Sequence, residues 1–158
     1  WSLLVSPTAG VTYGAHGIWS WQLEEGVPLD HPGTGVASPW HEAMKMPGSS
    51  QMKHLKDFFL HIKWWKLMPA PELLIEQPGI ENPRKFIASA MSEDCAVLYL
   101  TEGMDIKVNT KFINGAKIAR WFDPRTGVWS EAMKVNNDVE IFKAPNNEDW
   151  VLWIGKSI

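Results

Sequence analysis

Apolar and polar positions follow two different rhythms along this chain, and the change falls near residue 84. Residues 49–66 place Met52, Leu55, Phe59 and Ile62 at three- and four-residue spacing, which predicts a helix with one apolar face. Phe58, Trp64 and Trp65 widen that face, so both sides of the helix are expected to touch protein. Ser49 or Ser50 can cap its start, and Pro69 and Pro71 end it. After residue 84 short alternating runs appear at 85–91, 96–101, 105–109, 117–122, 128–132, 138–143 and 149–155. Turn residues separate them: Glu93-Asp94, Glu102-Gly103, Asn114-Gly115, Asp123 to Gly127, Asn136-Asn137 and Pro145-Asn146-Asn147. Six or seven short strands at that spacing predict an antiparallel β-sandwich.

Ahead of the helix the pattern is less regular. Residues 1–5, Trp-Ser-Leu-Leu-Val, read as the tail of a helix, and so apolar an opening predicts an element buried inside a larger protein. Residues 10–21 mix strand formers with three glycines, which suggests a strand with close backbone approach or a kinked end. Residues 22–48 hold four prolines and four glycines and predict a long loop, a kind of segment that is usually functional or disordered. Its Pro39-Trp40-His41-Glu42 is unlike disordered composition. The expected architecture is therefore α+β. Residues 1–66 form the terminal βα unit of a (β/α)₈ barrel, and a Pro-rich linker joins them to an antiparallel β-sandwich at 67–158.

Composition sharpens this in two places. Ten tryptophans against two tyrosines in 158 residues imply wide aromatic packing or stacking surfaces for flat ligands. A net charge of −3 with scattered lysines and arginines argues against a nucleic-acid partner. The single cysteine, Cys95, excludes an intrachain disulfide and reads as inert core at the start of a buried strand. No apolar run reaches membrane-spanning length, so no membrane partner is expected.

Five ordered segments carry a resemblance. Thr12-Tyr13-Gly14-Ala15-His16-Gly17-Ile18-Trp19 resembles the last barrel strand of the apiosidase-like glycoside hydrolases. Pro39-Trp40-His41-Glu42-Ala43 and Met46 to Leu55 resemble the loop and helix that follow that strand. Trp64-Trp65-Lys66-Leu67-Met68-Pro69 with Leu73-Leu74 resembles the crossing into their C-terminal module of collagen-binding type. Ala119 to Gly127 and Asp149-Trp150-Val151-Leu152 resemble that module itself. The resemblance implies a glycosidase whose catalytic carboxylates sit on barrel strands upstream of Trp1. It implies a carbohydrate substrate, an extracellular or periplasmic location, and a sandwich that acts as the barrel's structural partner. The missing barrel portion, or a second copy, would cover the seam at 1–5 and 11–21.

Barrel enzymes build their sites at the C-terminal ends of strands. Tyr13, His16, Trp19 and Trp21 fall at or just beyond such an end, with Trp40 and His41 near the end of the following loop. Indole rings stack on the C–H faces of sugars, and Trp and Tyr also supply hydrogen-bond donors. These six residues are the candidate sugar-binding wall, with barrel packing, or anchoring of the loop in the case of Trp40 and His41, as the competing use. No catalytic pair can be assigned. The local carboxylates are Glu24, Glu25, Asp30 and Glu42, and adjacent Glu24 and Glu25 read as a solvated loop. The five histidines show no metal-ligand spacing, and no phosphate loop or nucleophile elbow is present, so no cofactor or metal is expected. Trp121, Trp129, Trp150 and Trp153 are expected to serve packing on the two faces of the sandwich. The alternative function is a stand-alone carbohydrate- or protein-binding β-sandwich module without catalysis.

Overall fold

A computed structural model describes residues 1–6, 9–115 and 117–156. Helices α1 (Ser2–Val5), α2 (Trp40–Ala43) and α3 (Pro47–His61) precede eight strands. These are β1 (Met68–Pro69), β2 (Ala88–Met91), β3 (Cys95–Leu100), β4 (Asp105–Asn109), β5 (Lys117–Phe122), β6 (Met133–Val135), β7 (Val139–Lys143) and β8 (Trp150–Gly155). Six strands form one sheet in the order β1-β2-β3-β8-β5-β6, and β4 pairs with β7 in a second, all antiparallel. The architecture is mixed helix and antiparallel sheet, dominated by strands.

The reason for the two layers lies in β3, β5 and β8. Their runs Cys95-Ala-Val-Leu-Tyr-Leu100 and Trp150-Val-Leu-Trp-Ile154 are apolar at nearly every position, because both faces of the large sheet are covered. Leu98 sits opposite Leu152, and with Ala96, Ala119, Trp121 and Ile154 these side chains meet Ile106, Val108 and Phe142 of the β4–β7 sheet. Val97 sits opposite Trp153, and with Cys95, Phe122 and Val151 they face the other way, onto Leu4, Phe58 and Ile62. Trp121 and Phe122 thus point to opposite faces, as their adjacency in a strand requires. Burial of each Leu or Ile is worth roughly 1.5–3 kcal/mol, so this sheet carries most of the apolar driving force.

Three expectations need correction. Residues 10–21 are not a strand; they run without regular structure into a turn at 16–21. A parallel barrel strand is held by neighbours on its flanks, and none of the described strands lies beside this segment. The run at 128–132 makes only a single bridge, Trp129 to Phe122, and regular pairing with β5 begins at Met133. Helix α3 starts at Pro47 with no side-chain cap, since proline's fixed φ suits the first helical position, and it ends at His61. The hydroxyls of Ser49 and Ser50 donate to the carbonyls of Met46 and Pro47 instead of capping. Trp64 and Trp65 lie beyond α3 in a single 3₁₀ turn.

The turn Asp123-Pro124-Arg125-Thr126-Gly127 joins the two halves. The Asp123 carboxylate accepts from the Arg125 amide at 2.9 Å, Gly127 N–H donates to the Asp123 carbonyl at 2.8 Å, and Gly127 takes φ +75°. A Cβ on Gly127 would collide with the His54 imidazole of α3, so the turn lies directly against that helix. Phe58 of α3 packs on Phe122 and Trp129, with ring centroids 5.0 and 5.5 Å away.

Candidate functional site

Residues 16–41 assemble two aromatic groups from the turn and the long loop. In the first, His16 stacks on Trp19 with centroids 5.6 Å apart and planes inclined by 15°, and His31 meets Trp19 edge-on at 4.5 Å. In the second, Trp21 and Trp40 stack at 5.1 Å and 3°, and His41 stands edge-on to Trp40 at 5.8 Å. The turn holding His16 and Trp19 is pressed onto α2 through Gly17. That residue has φ +97°, and a Cβ there would strike the Ser38 carbonyl and crowd Ala43. Ala43 is wholly buried, and the Trp40 amide donates to the Gln22 carbonyl at 2.8 Å. α2 therefore anchors the loop and, through Trp40, supports the Trp21 ring at the same time.

Trp21 stands out in the backbone. At φ +49° it is the only non-glycine residue in the left-handed region among those described, and its side chain is 64% exposed. A bulky residue there is strained by roughly 1–3 kcal/mol, and such outliers concentrate at functional sites. Trp19 is also open to solvent, at 43%.

Of the six residues marked from sequence, five lie in these two groups and Tyr13 does not. Its ring lies over Gly48 of α3, where a Cβ would overlap the phenol. It borders a cavity of about 360 Å³ between α3 and the sandwich, shared with Trp1, Gln51, Tyr99, Arg125 and Asp149. Sequence reasoning overlooked His31 and Thr34. The contacts that bring them to His16 and Trp19 depend on a loop closure that leaves no local motif.

Polar chemistry gathers at the far wall of that cavity. Arg125 holds Asp123 in a two-point contact at 2.9 and 3.1 Å, reaches Glu148 at 3.1 Å, and lies 5.3 Å above the Trp150 ring. Burial tends to raise the Asp123 carboxyl, but the Arg125 hydrogen bonds outweigh it and hold the group below the usual aspartate value. Tyr99 donates to Asp149 at 3.2 Å, and burial together with that carboxylate pushes its phenol up to about 12. Burial also raises the Cys95 thiol, in keeping with an unreactive core position. Glu24, Glu25, Asp30 and Glu42 are all exposed.

Along α3 a second, apolar groove of about 680 Å³ is open, lined by Leu3, Val11, Met52, Leu55, Phe59 and Trp65 among others. Val11 and Trp65 are more than half exposed beside it. Among the described residues no helix is long and apolar enough to cross a membrane.

Comparison with known proteins agrees with this division of features. Residues 1–66 match the family model "Apiosidase-like, catalytic domain", and residues 68–155 match "Putative collagen-binding domain of a collagenase". The second model spans more than half of the chain, which belongs to that domain family, and residues 1–66 are similar to an apiosidase-like catalytic domain. Among solved structures, one titled "Glycoside hydrolase" is 26% identical with a TM-score of 0.70, over 80% of this chain and 30% of that one. A glycoside hydrolase family 5 structure from Bacteroides vulgatus ATCC 8482 is 22% identical with a TM-score of 0.70, over 79% and 29%. The chain thus spans about a third of the length of the structures it matches. No curated protein sequence matches it. All six residues marked from sequence fall in the part similar to the catalytic domain.

Proposed function

We propose that this apiosidase-like chain contributes one wall of a carbohydrate site, and that the catalytic carboxylates come from chain outside these 158 residues. The observation that carries this reading is the Trp21–Trp40 stack. A strained, exposed indole is backed by a second, parallel indole, within the segment similar to a glycosidase catalytic domain. Such a ring presents a flat apolar face and an N–H donor, which is what the C–H face and hydroxyls of a sugar require. Trp19, His16 and His41 extend the wall, while Tyr13 lies apart from it against Gly48 of α3. Residues 1–66 are read as the closing βα unit of a barrel and 67–158 as its β-sandwich. The apolar groove along α3 is where the rest of the barrel, or a second copy, packs. The sandwich serves as structural support: Trp121, Trp150 and Trp153 are buried, and Trp129 is packed against Phe58 of α3.

Glycosidic cleavage needs two carboxyl groups about 5–10 Å apart across one bond, drawn from different strands. The chain alone is therefore expected to bind plant-type oligosaccharides without hydrolysing them. Calorimetric titration should show Trp21→Ala weakening binding by about tenfold, the loss of one stacking contact. Turnover of aryl glycosides by the chain alone, abolished by Glu42→Ala or Glu25→Ala, would place the site in the Glu24–Glu42 loop and refute this reading.

A further inference from the structure

The long loop returns a specific pair of contacts to His16. An antiparallel bridge closes the loop at its base, with Gly26 N–H donating to Ala37 at 3.1 Å and Ala37 N–H to Gly26 at 2.8 Å. Between them a 3₁₀ turn at Pro32–Thr34 places the Thr34 hydroxyl 2.7 Å from the His31 carbonyl and 3.2 Å from His16 Nε2. A hydroxyl has one proton. If it pointed at His16, two bare acceptors would face each other across 2.7 Å, since the carbonyl cannot donate. The proton therefore goes to the His31 carbonyl, and toward the ring Thr34 can only accept. We infer that Thr34 is a positioning residue that fixes His16 with its proton on Nε2, leaving Nδ1 as the ring's one acceptor for a hydroxyl group. The Trp19 ring completes the enclosure, parallel to His16 on one side and edge-on to His31 on the other.

The hydroxyl acceptor role rests on the carbohydrate reading above; the proton placement does not. Nitrogen-15 correlation spectra of the full chain, in mildly alkaline buffer where an imidazole is neutral, read the tautomer directly. Wild type should show a protonated Nε2 and a bare Nδ1 on His16. Thr34→Val should shift the tautomer ratio toward Nδ1–H by about fivefold, the worth of one net hydrogen bond. Thr34→Ser, which keeps the hydroxyl, should restore the wild-type ratio. A wild-type spectrum dominated by Nδ1–H overturns the assignment, as does a ratio unmoved in Thr34→Val, and the wild-type spectrum decides even where the valine variant folds poorly. A protonated Nε2 in a chain that binds no sugar upholds the assignment while removing the carbohydrate reading.

Discussion

Strands β3 and β8 and the segment 10–39 are both rich in large apolar side chains, yet they use them in opposite ways. In the strands every residue from Cys95 to Leu98 and from Trp150 to Ile154 is buried, and each backbone is paired on both sides. In the segment Val11, Trp19, Trp21, Leu23 and Leu29 are open to solvent, and the backbone is held by isolated turns and one bridge. A tryptophan in the first setting is core; in the second it is available. The tryptophan count alone could not separate the two, because burial follows from pairing and pairing from topology.

The difference can be attacked from the core outward. Leu152→Ala removes a wholly buried side chain from between the sheets and should cost about 2–5 kcal/mol in urea unfolding. A loss below 1 kcal/mol would mean the inter-sheet core is far looser than its burial indicates. The same substitution at two glycines gives the next contrast. Gly127→Ala combines a left-handed φ with a clash against His54 and should cost roughly 1–3 kcal/mol. Gly33→Ala meets nothing within 4 Å and should stay within about 0.5 kcal/mol. Equal costs at both would dissolve the distinction between docked turn and free loop.

Smaller effects come from protons. Because the Asp123 carboxyl is held below its unfolded value, its contribution is complete above about pH 4 and fades as pH falls below that. Asp123→Asn should flatten that acid limb. Tyr99 works in the opposite direction: its phenol is raised, so its contribution is complete below about pH 10 and is lost as pH climbs toward 12. In Tyr13→Phe, which leaves Tyr99 as the sole tyrosine, the phenolate absorbance should titrate near 12. A midpoint at the ordinary tyrosine value would mean that the Tyr99–Asp149 contact does not form in solution.

How far the sequence carries also divides along these lines. β4 and β5 fall where alternation and turn residues place them, because an antiparallel strand finds its partners a hairpin or a sheet-crossing away within the same chain. The 128–132 run was displaced because the Trp129 ring turns to Phe58 and Phe122, leaving pairing to Met133–Val135. α3 stops at His61, before any proline, because the extended backbone of Ile62 sends that side chain under the sandwich. In the candidate site, Trp19, Trp21 and Trp40 were legible as aromatics near a turn. The stacking of Trp21 on Trp40, 19 positions away, was not, and neither was the link from Thr34 to His16. Both depend on how the Gly26–Ala37 bridge folds the loop back, and two residues pairing across a loop leave no periodic trace.

Radical oxidation of the ten tryptophans, read residue by residue with and without plant oligosaccharides, tests most directly whether the open aromatics form a sugar wall. Without sugar, Trp1, Trp19, Trp21 and Trp65 should oxidise readily while Trp121, Trp150 and Trp153 stay protected, following their exposure. With sugar, Trp19 and Trp21 should become protected, and Trp1 and Trp65, which are comparably exposed but border the cavity beside the sandwich and the groove along α3 respectively, should not. Protection that spares Trp19 and Trp21, or that falls on the tryptophans of the sandwich instead, would contradict the assignment of the site to the N-terminal segment.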